Sequence, residues 1–220
     1  MRGLFIAGTD TGVGKTHVAT ALARTLAARG LNVVPRKPAE SGCEERNGQL
    51  FPADAAALRE ASGWSGPLQQ VCPYRLRAPL APPRAAQLQG ERLSLRDLQA
   101  ACADETDGFL LVEGAGGLYS PLAEDALNID LAQALNLPVL LVCEDRLGTL
   151  SPTLLAVEAL YRRGLTLAAV VLNRITPQPD TLDNRSDLAE WLPRLGPVPP
   201  LLHNLEIAAW AISIHKGVEK

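Results

Sequence analysis

Short apolar runs separated by amphipathic stretches divide the chain into an alternating series. Gly3 to Gly8 (Gly-Leu-Phe-Ile-Ala-Gly) is continuously apolar, as a parallel strand covered on both faces should be. From Lys15 to Arg29 the spacing turns helical, with Val18, Ala21, Leu22, Thr25 and Leu26 on one face and Gly30 as the stop. Leu31 to Val34 predicts a second strand, closed by Pro35. Ala53 to Ala61 predicts a short helix with Asp54 near its start. Ser94 opens another helix, with Asp97 placed as its capping-box partner. The stretch 63–84 carries Pro67, Pro73, Pro79, Pro82 and Pro83 and reads as an ordered excursion with little regular structure.

Beyond this excursion the alternation is regular. Phe109 to Glu113, Val139 to Cys143 and Leu167 to Asn173 predict strands; Asn128 to Leu135, Ser151 to Arg163 and Asp187 to Leu192 predict helices. Strands alternating with helices imply right-handed βαβ units. The expected fold is therefore α/β: a doubly wound, mostly parallel sheet with helices on both faces, binding its ligand beyond the carboxyl ends of the strands. Gly8, Glu113 and Asn173 all fall at such ends. A length of 220 residues suits one domain, no charge-rich or Ser/Gly-rich linker divides it, and 206–220 forms a tail with no assigned role.

Composition narrows the function. A formal charge of -3 gives no strong field toward nucleic acid or an anionic membrane. No apolar run approaches the roughly 20 residues needed to cross a bilayer. Met-Arg leads straight into the first strand without the apolar region of a secretory leader. Cys43, Cys72, Cys102 and Cys143 lie far apart with no CxxC spacing and read as reduced thiols of a cytoplasmic protein, Cys102 and Cys143 within the core. Of 21 basic residues only Lys15, Lys37, Lys216 and Lys220 are lysine. Where such a chain keeps a compact ammonium, a phosphate-sized anion is a reason for it.

The segment Gly8-Thr9-Asp10-Thr11-Gly12-Val13-Gly14-Lys15-Thr16 links the first strand to the first helix. Strand, glycine-rich turn, Gly-Lys-Thr and helix form a P-loop arrangement for a nucleoside triphosphate. Backbone N–H groups and the helix N-terminus face the phosphates. Lys15 would bridge the β- and γ-phosphates, and the Thr16 hydroxyl would bind Mg²⁺. The spacing from Gly8 is one residue longer than Gly-x4-Gly-Lys-[Ser/Thr].

A second tier of residues surrounds it. Lys37, in Arg36-Lys37-Pro38-Ala39-Glu40-Ser41-Gly42, reads as a solvated surface lysine or as a second cation for a transferring γ-phosphoryl. Ser41 reads as a turn residue or a site residue. Glu113, followed by Gly114-Ala115-Gly116-Gly117, is a candidate metal-side carboxylate; Asp54 is another, or else the N-cap of its helix. The Asn173 amide suits adenine recognition, and Pro199-Pro200-Leu201, after the last predicted strand, could wall the base.

Taken together, these motifs, with Leu147-Gly148 added, give a sequence that resembles the dethiobiotin synthetase family over roughly residues 3 to 203. The family's phosphate loop has the same longer spacing. The resemblance implies ATP-dependent carboxylation and ring closure of 7,8-diaminononanoate with CO2, giving dethiobiotin, ADP and phosphate. It implies Lys37 and Lys15 as catalytic residues and Thr16, Asp54 and Glu113 as Mg²⁺ ligands. Thr11, Ser41, Gly116, Gly117, Leu147 and Gly148 would contact the diamine or carbamate. The ATP site would comprise Gly12, Val13, Gly14, Lys15, Thr16, His17, Asp54, Glu113, Gly114, Ala115 and Gly116, with Asn173, Arg174, Pro199, Pro200 and Leu201 toward the base. A homodimer is implied, with the substrate at the interface and Leu147 and Gly148 offered by the partner. Ala39 and Arg174 depart from the family pattern, Arg174 standing where an acid often follows Asn. The competing readings are a related P-loop synthetase, a partitioning-type ATPase or a nucleotide-dependent switch. The partitioning ATPases carry an early lysine that Thr9-Asp10-Thr11 lacks, and a switch has no need of Lys37.

Overall fold

The structure is a computed structural model that describes residues 3–103 and 107–218. Strand β1 (Gly3–Gly8) shows why its sequence is apolar throughout: Leu4 and Ile6 face one side of the sheet, Phe5 and Ala7 the other, and both sides are covered. Helix α1 (Lys15–Ala27) follows, then β2 (Val33–Arg36). The second strand thus starts two residues later than the apolar pattern suggests and runs through Pro35. Proline is tolerated there because β2 is an edge strand.

Three short strands come next: β3 (Ala39–Ser41), β4 (Glu44–Arg46) and β5 (Gln49–Phe51). The last two form an antiparallel hairpin across Asn47-Gly48, both residues at positive φ, the Asn-Gly signature of a tight turn. Helix α2 (Ala53–Ser62) matches its prediction. The proline-rich excursion holds more order than its composition suggests: α3 (Leu68–Val71), β6 (Tyr74–Leu76), parallel to β3, and α4 (Pro82–Leu88), whose prolines sit where a first turn accepts them. Helix α5 (Leu95–Ala101) opens with the expected Ser94–Asp97 capping box.

The regular half follows the predicted alternation closely. It comprises β7 (Phe109–Glu113), the small ribbon β8 (Pro121–Ala123) with β9 (Ala126–Leu127), α6 (Asn128–Ala134), β10 (Val139–Glu144), α7 (Leu150–Arg162), β11 (Leu167–Asn173) and α8 (Asn184–Trp191). Besides the β8–β9 ribbon, two elements were not expected. Leu201–His203 is a further strand, β12, and Ile207–Val218 is a helix, α9. Lys220 lies outside the described residues.

The six-stranded sheet has the order β12-β11-β10-β1-β7-β2, and every neighbouring pair is parallel. Helices α1, α2 and α9 pack on the face bearing Leu4, Ile6, Leu140 and Val142. Helices α4 to α8 cover the face bearing Phe5, Val112, Leu141 and Leu172. All four cysteines are buried and free, Cys102 and Cys143 in the core as expected. Among the described residues no helix is long and apolar enough to cross a membrane. The parallel register brings Gly8, Glu113 and Asn173 to one rim.

Helix α9 gives the 206–220 segment a structural role, because Ile207 and Ala211 pack into the cluster formed by α1 and the sheet. Ile207→Ala should lower stability by about 2–4 kcal/mol in a urea titration. A change within about 0.5 kcal/mol, as at an exposed position, would mean that α9 does not pack there.

Candidate functional site

The turn after β1 is shaped by Gly12 and Gly14, at φ 77° and 88°, backbone conformations that glycine adopts without strain. Gly14 also has no room for a side chain: a Cβ there would stand 2.0 Å from the Asn173 amide nitrogen. Helix α1 starts immediately afterwards with no side-chain cap and no acidic residue in its first turn. Its N-terminal N–H groups and positive dipole end are therefore open to an anion. Lys15, the first helical residue, folds its buried ammonium back onto the Asp10 carbonyl at 3.0 Å.

Glu113, at the end of β7, is only 1% exposed. Its Oε1 accepts from the Thr16 hydroxyl at 2.7 Å and from the Lys37 ammonium at 2.8 Å. Its Oε2 is buried with no hydrogen-bond partner among the described residues. Lys37 follows β2, the strand beside β7, and is buried as well; it also approaches Asp54 Oδ2 at 3.5 Å. The solvated reading of Lys37 is thereby excluded. Asp54 does not cap α2 either, since Pro52 holds the N-cap position and Asp54 lies inside the first turn.

The two ammonium groups titrate in opposite directions. Burial, with a smaller contribution from Lys37, lowers Lys15 to about 8. Burial also pulls Lys37 down, but the Glu113 and Asp54 carboxylates outweigh it and hold Lys37 above the usual lysine range. The carboxylates thus favour the charged form of Lys37, whereas Lys15 carries a charge that an incoming anion would stabilise.

A cavity of about 280 Å³ joins these groups, lined by Thr11, Gly12, Gly14, Lys15, Thr16, Lys37, Glu40, Ser41, Asp54, Glu113, Ala115 and Gly116. A second cavity of about 340 Å³ adjoins it through Thr11, Ser41, Ala115 and Gly116 and continues between Pro79, Leu80, Ala81, Pro82, Ser120 and Pro121. One end is charged and the other largely apolar. Gly114 and Gly117 are buried beneath: a Cβ on Gly114 would meet Asn128 at 2.4 Å, and one on Gly117 the Thr9 carbonyl at 2.9 Å.

The remaining sequence candidates lie outside these cavities. Val13 packs in the core, and His17 is exposed on α1. Asn173 is buried and donates to the Val13 carbonyl at 2.9 Å, so its amide latches the phosphate loop to β11. Arg174 forks onto the buried Asp145 carboxylate at 2.8 and 3.1 Å. Leu147 is 79% exposed and Gly148 takes φ 90° in the loop after β10. Pro199-Pro200-Leu201 does not wall this rim. Leu201 opens β12 in register with Val170, three residues short of Asn173, and Pro199 and Pro200 line a separate cavity with Tyr161 and Leu165 to Leu167. The residue of β12 nearest the rim is His203, and Asn204 follows the strand.

Sequence reasoning missed three buried polar residues. Glu40 accepts from the N–H groups of Asp54 and Ala55. Asn128 braces the glycine loop, accepting from the Ala115 N–H and donating to the Ala115 and Gly117 carbonyls. Asp145 ties Arg174 to Asn184. Glu40 alone had a visible signal, an acid within the motif that carries Lys37.

Residues 2–205 match a family described as an AAA domain. Among curated relatives, an ATP-dependent dethiobiotin synthetase of Anaeromyxobacter dehalogenans is 53% identical over 82% of this chain and 80% of its own. Those of Ruthia magnifica and Caulobacter vibrioides are 46% and 45% identical over 80% and 82% of this chain, and 82% and 83% of their own. The Pyrococcus furiosus cell division ATPase MinD superposes with a TM-score of 0.48 at 17% identity, over 96% of this chain and 89% of that one, a likeness too loose to bear on function. Identity at this level over four fifths of the chain establishes that it belongs to the dethiobiotin synthetase family.

Proposed function

We propose that this chain catalyses ATP-dependent ring closure of 7,8-diaminononanoate with CO2 to dethiobiotin. The observation that carries the reading is the meeting of Lys15, Lys37, Thr16 and Glu113 around one cavity at the head of α1. One amine of the substrate adds to CO2 and loses a proton, giving a carbamate. A carbamate oxygen takes the γ-phosphoryl of ATP and ADP departs. The second amine attacks the carbamoyl carbon, phosphate leaves, and the cyclic urea closes.

Carbamate and triphosphate are both anions, so their approach is repulsive unless cations stand between them. Lys37 is suited to that task because the flanking carboxylates keep it protonated; it stabilises charge and is no proton acceptor. Lys15 and the α1 N-terminus take the phosphates. Thr11 and Ser41 border both cavities, where the charged end meets the apolar one, and suit the carbamate and amines; the Pro79 to Pro82 side suits an aliphatic chain.

Mg²⁺ fits the residues present. Glu113 has a buried, unpartnered oxygen beside the Thr16 hydroxyl, and Asp54 borders the same cavity. When bound, the ion supplies further neutralisation of the β- and γ-phosphates. We also assign the protein to the cytoplasm as a homodimer. Its buried free thiols and the exposed Leu147 beside Gly148 support those two assignments.

The deciding experiment supplies diamine, bicarbonate, Mg²⁺ and ATP and looks for the cyclic urea by mass spectrometry; ATP turnover without that product would reject the reading. Lys37→Ala should lower kcat by about 10²-fold or more, with unfolding followed in parallel because Glu113 loses its buried partner. Near-normal turnover in a folded variant would remove Lys37 from the chemistry.

Nucleotide binding should weaken with alkali. Lys15 loses its proton as pH rises through about 8, and bound phosphate must restore it. ADP affinity should therefore fall between pH 7 and 9.5, with proton uptake visible by calorimetry in buffers of different ionisation heat. A flat profile would take Lys15 out of the phosphate site.

Asn173→Ala should weaken tripolyphosphate as well as ATP, by roughly 5–30-fold for one to two kcal/mol, because it releases Val13 from β11. Loss confined to ATP would mean that the amide serves only the base.

A further inference from the structure

Helix α2 begins without a cap of its own. Pro52 occupies the N-cap position and makes no side-chain bond to the first turn. Two of the orphan N–H groups that every helix start exposes are nevertheless satisfied. Glu40, from β3, accepts from the Asp54 N–H with Oε1 at 3.0 Å and from the Ala55 N–H with Oε2 at 2.9 Å. Glu40 is itself buried and borders the same cavity as Asp54.

The grip falls on the one acidic side chain of the site that is loosely held. Glu113 is enclosed, but the Asp54 side chain is 47% exposed and stands 3.5 Å from Lys37. An aspartate is short, so the place of its carboxylate follows its backbone closely. The segment leading into α2 is the hairpin β4–β5, with β4 exposed throughout and β5 at most half-buried.

We propose that Glu40 is a positioning residue for Asp54: its two oxygens fix the first turn of α2 and thereby hold the Asp54 carboxylate where it faces Lys37 and a divalent cation. The proposal rests on the assignment of Asp54 to the metal side of the site. Glutamine is not an equivalent, because its amide would turn an N–H toward one of the two backbone donors. Burial holds the Glu40 carboxyl above its usual range, and the nearby Lys37 and the two backbone N–H groups offset part of that.

The test uses the full chain with ADP and Mn²⁺ as the probe, comparing wild type, Glu40→Ala, Glu40→Gln and Asp54→Asn. In Glu40→Ala, amide exchange at Asp54 and Ala55 should accelerate roughly 5–30-fold, as for a lost cap. Mn²⁺ affinity for the ADP complex, read by electron paramagnetic resonance, should fall on the order of tenfold, a larger factor than any change in ADP affinity without metal. Glu40→Gln should lie between, and it carries the same readouts should Glu40→Ala fail to fold. Unchanged Mn²⁺ affinity in a folded Glu40 variant, with Asp54→Asn impaired, would leave Glu40 a structural cap and overturn the proposal alone. Wild-type Mn²⁺ affinity in Asp54→Asn would remove Asp54 from the metal side and overturn both.

Discussion

A carboxylate withdrawn almost entirely from water has to be met by a cation, and Glu113 is met by Lys37 at 2.8 Å. Breaking such a pair by removing one partner typically costs about 3–5 kcal/mol, since the survivor is stranded. The site therefore does not wait for a ligand to assemble. Its charges are fixed by the sheet order, in which β7 carries Glu113 between β1, with the phosphate loop, and β2, with Lys37 just beyond its end. Fixed charges need little reorganisation at the moment of reaction, and that is how electrostatic stabilisation becomes large.

The same constraint sets the difference between the two lysines. Lys37 has its carboxylates beside it; Lys15 is lowered to about 8 by burial and, less, by the like charge of Lys37, with only a backbone carbonyl in contact. An incoming phosphate therefore gains most from Lys15, whose charge is the least compensated. Lys37 remains engaged with Glu113 and Asp54 until a stronger anion competes for it. The proposed division of labour, phosphate binding by Lys15 and stabilisation of the transferred group by Lys37, rests on this difference between two ammonium groups that border one cavity.

The sheet was legible because its strands are apolar on both faces, which leaves few other ways to bury them; β7 and β11 match their predicted bounds. The phosphate loop and the Lys37 motif were legible because lysine is rare in the chain, with only Lys216 and Lys220 outside these two motifs. The hairpin at Asn47-Gly48 had a readable turn signal, but its strands are three residues each, β4 exposed and β5 at most half-buried, without the alternation that marks a strand. Helix α9 was hidden for another reason. Its apolar face is explained by packing on α1, a contact between the two ends of the chain that no local pattern reveals. Pro199 to Leu201 was misplaced by missing β12: without that strand, the prolines seemed to stand beyond the sheet instead of below its rim.

What local pattern could least reveal is how the loops around the cavity hold their shape. Glycine loops have no side chains to pack, and loops are the mobile part of most folds. Here three of the segments bordering the site are braced from elsewhere by a buried polar side chain: Asn173 on the phosphate loop, Asn128 on the loop after β7, and Glu40 on the start of α2. A buried amide or carboxylate is costly to leave unpaired, so each brace enforces its own bond. The loops can then remain rich in glycine, letting a phosphate approach the backbone closely, while their positions are set by side chains that need not touch the ligand at all.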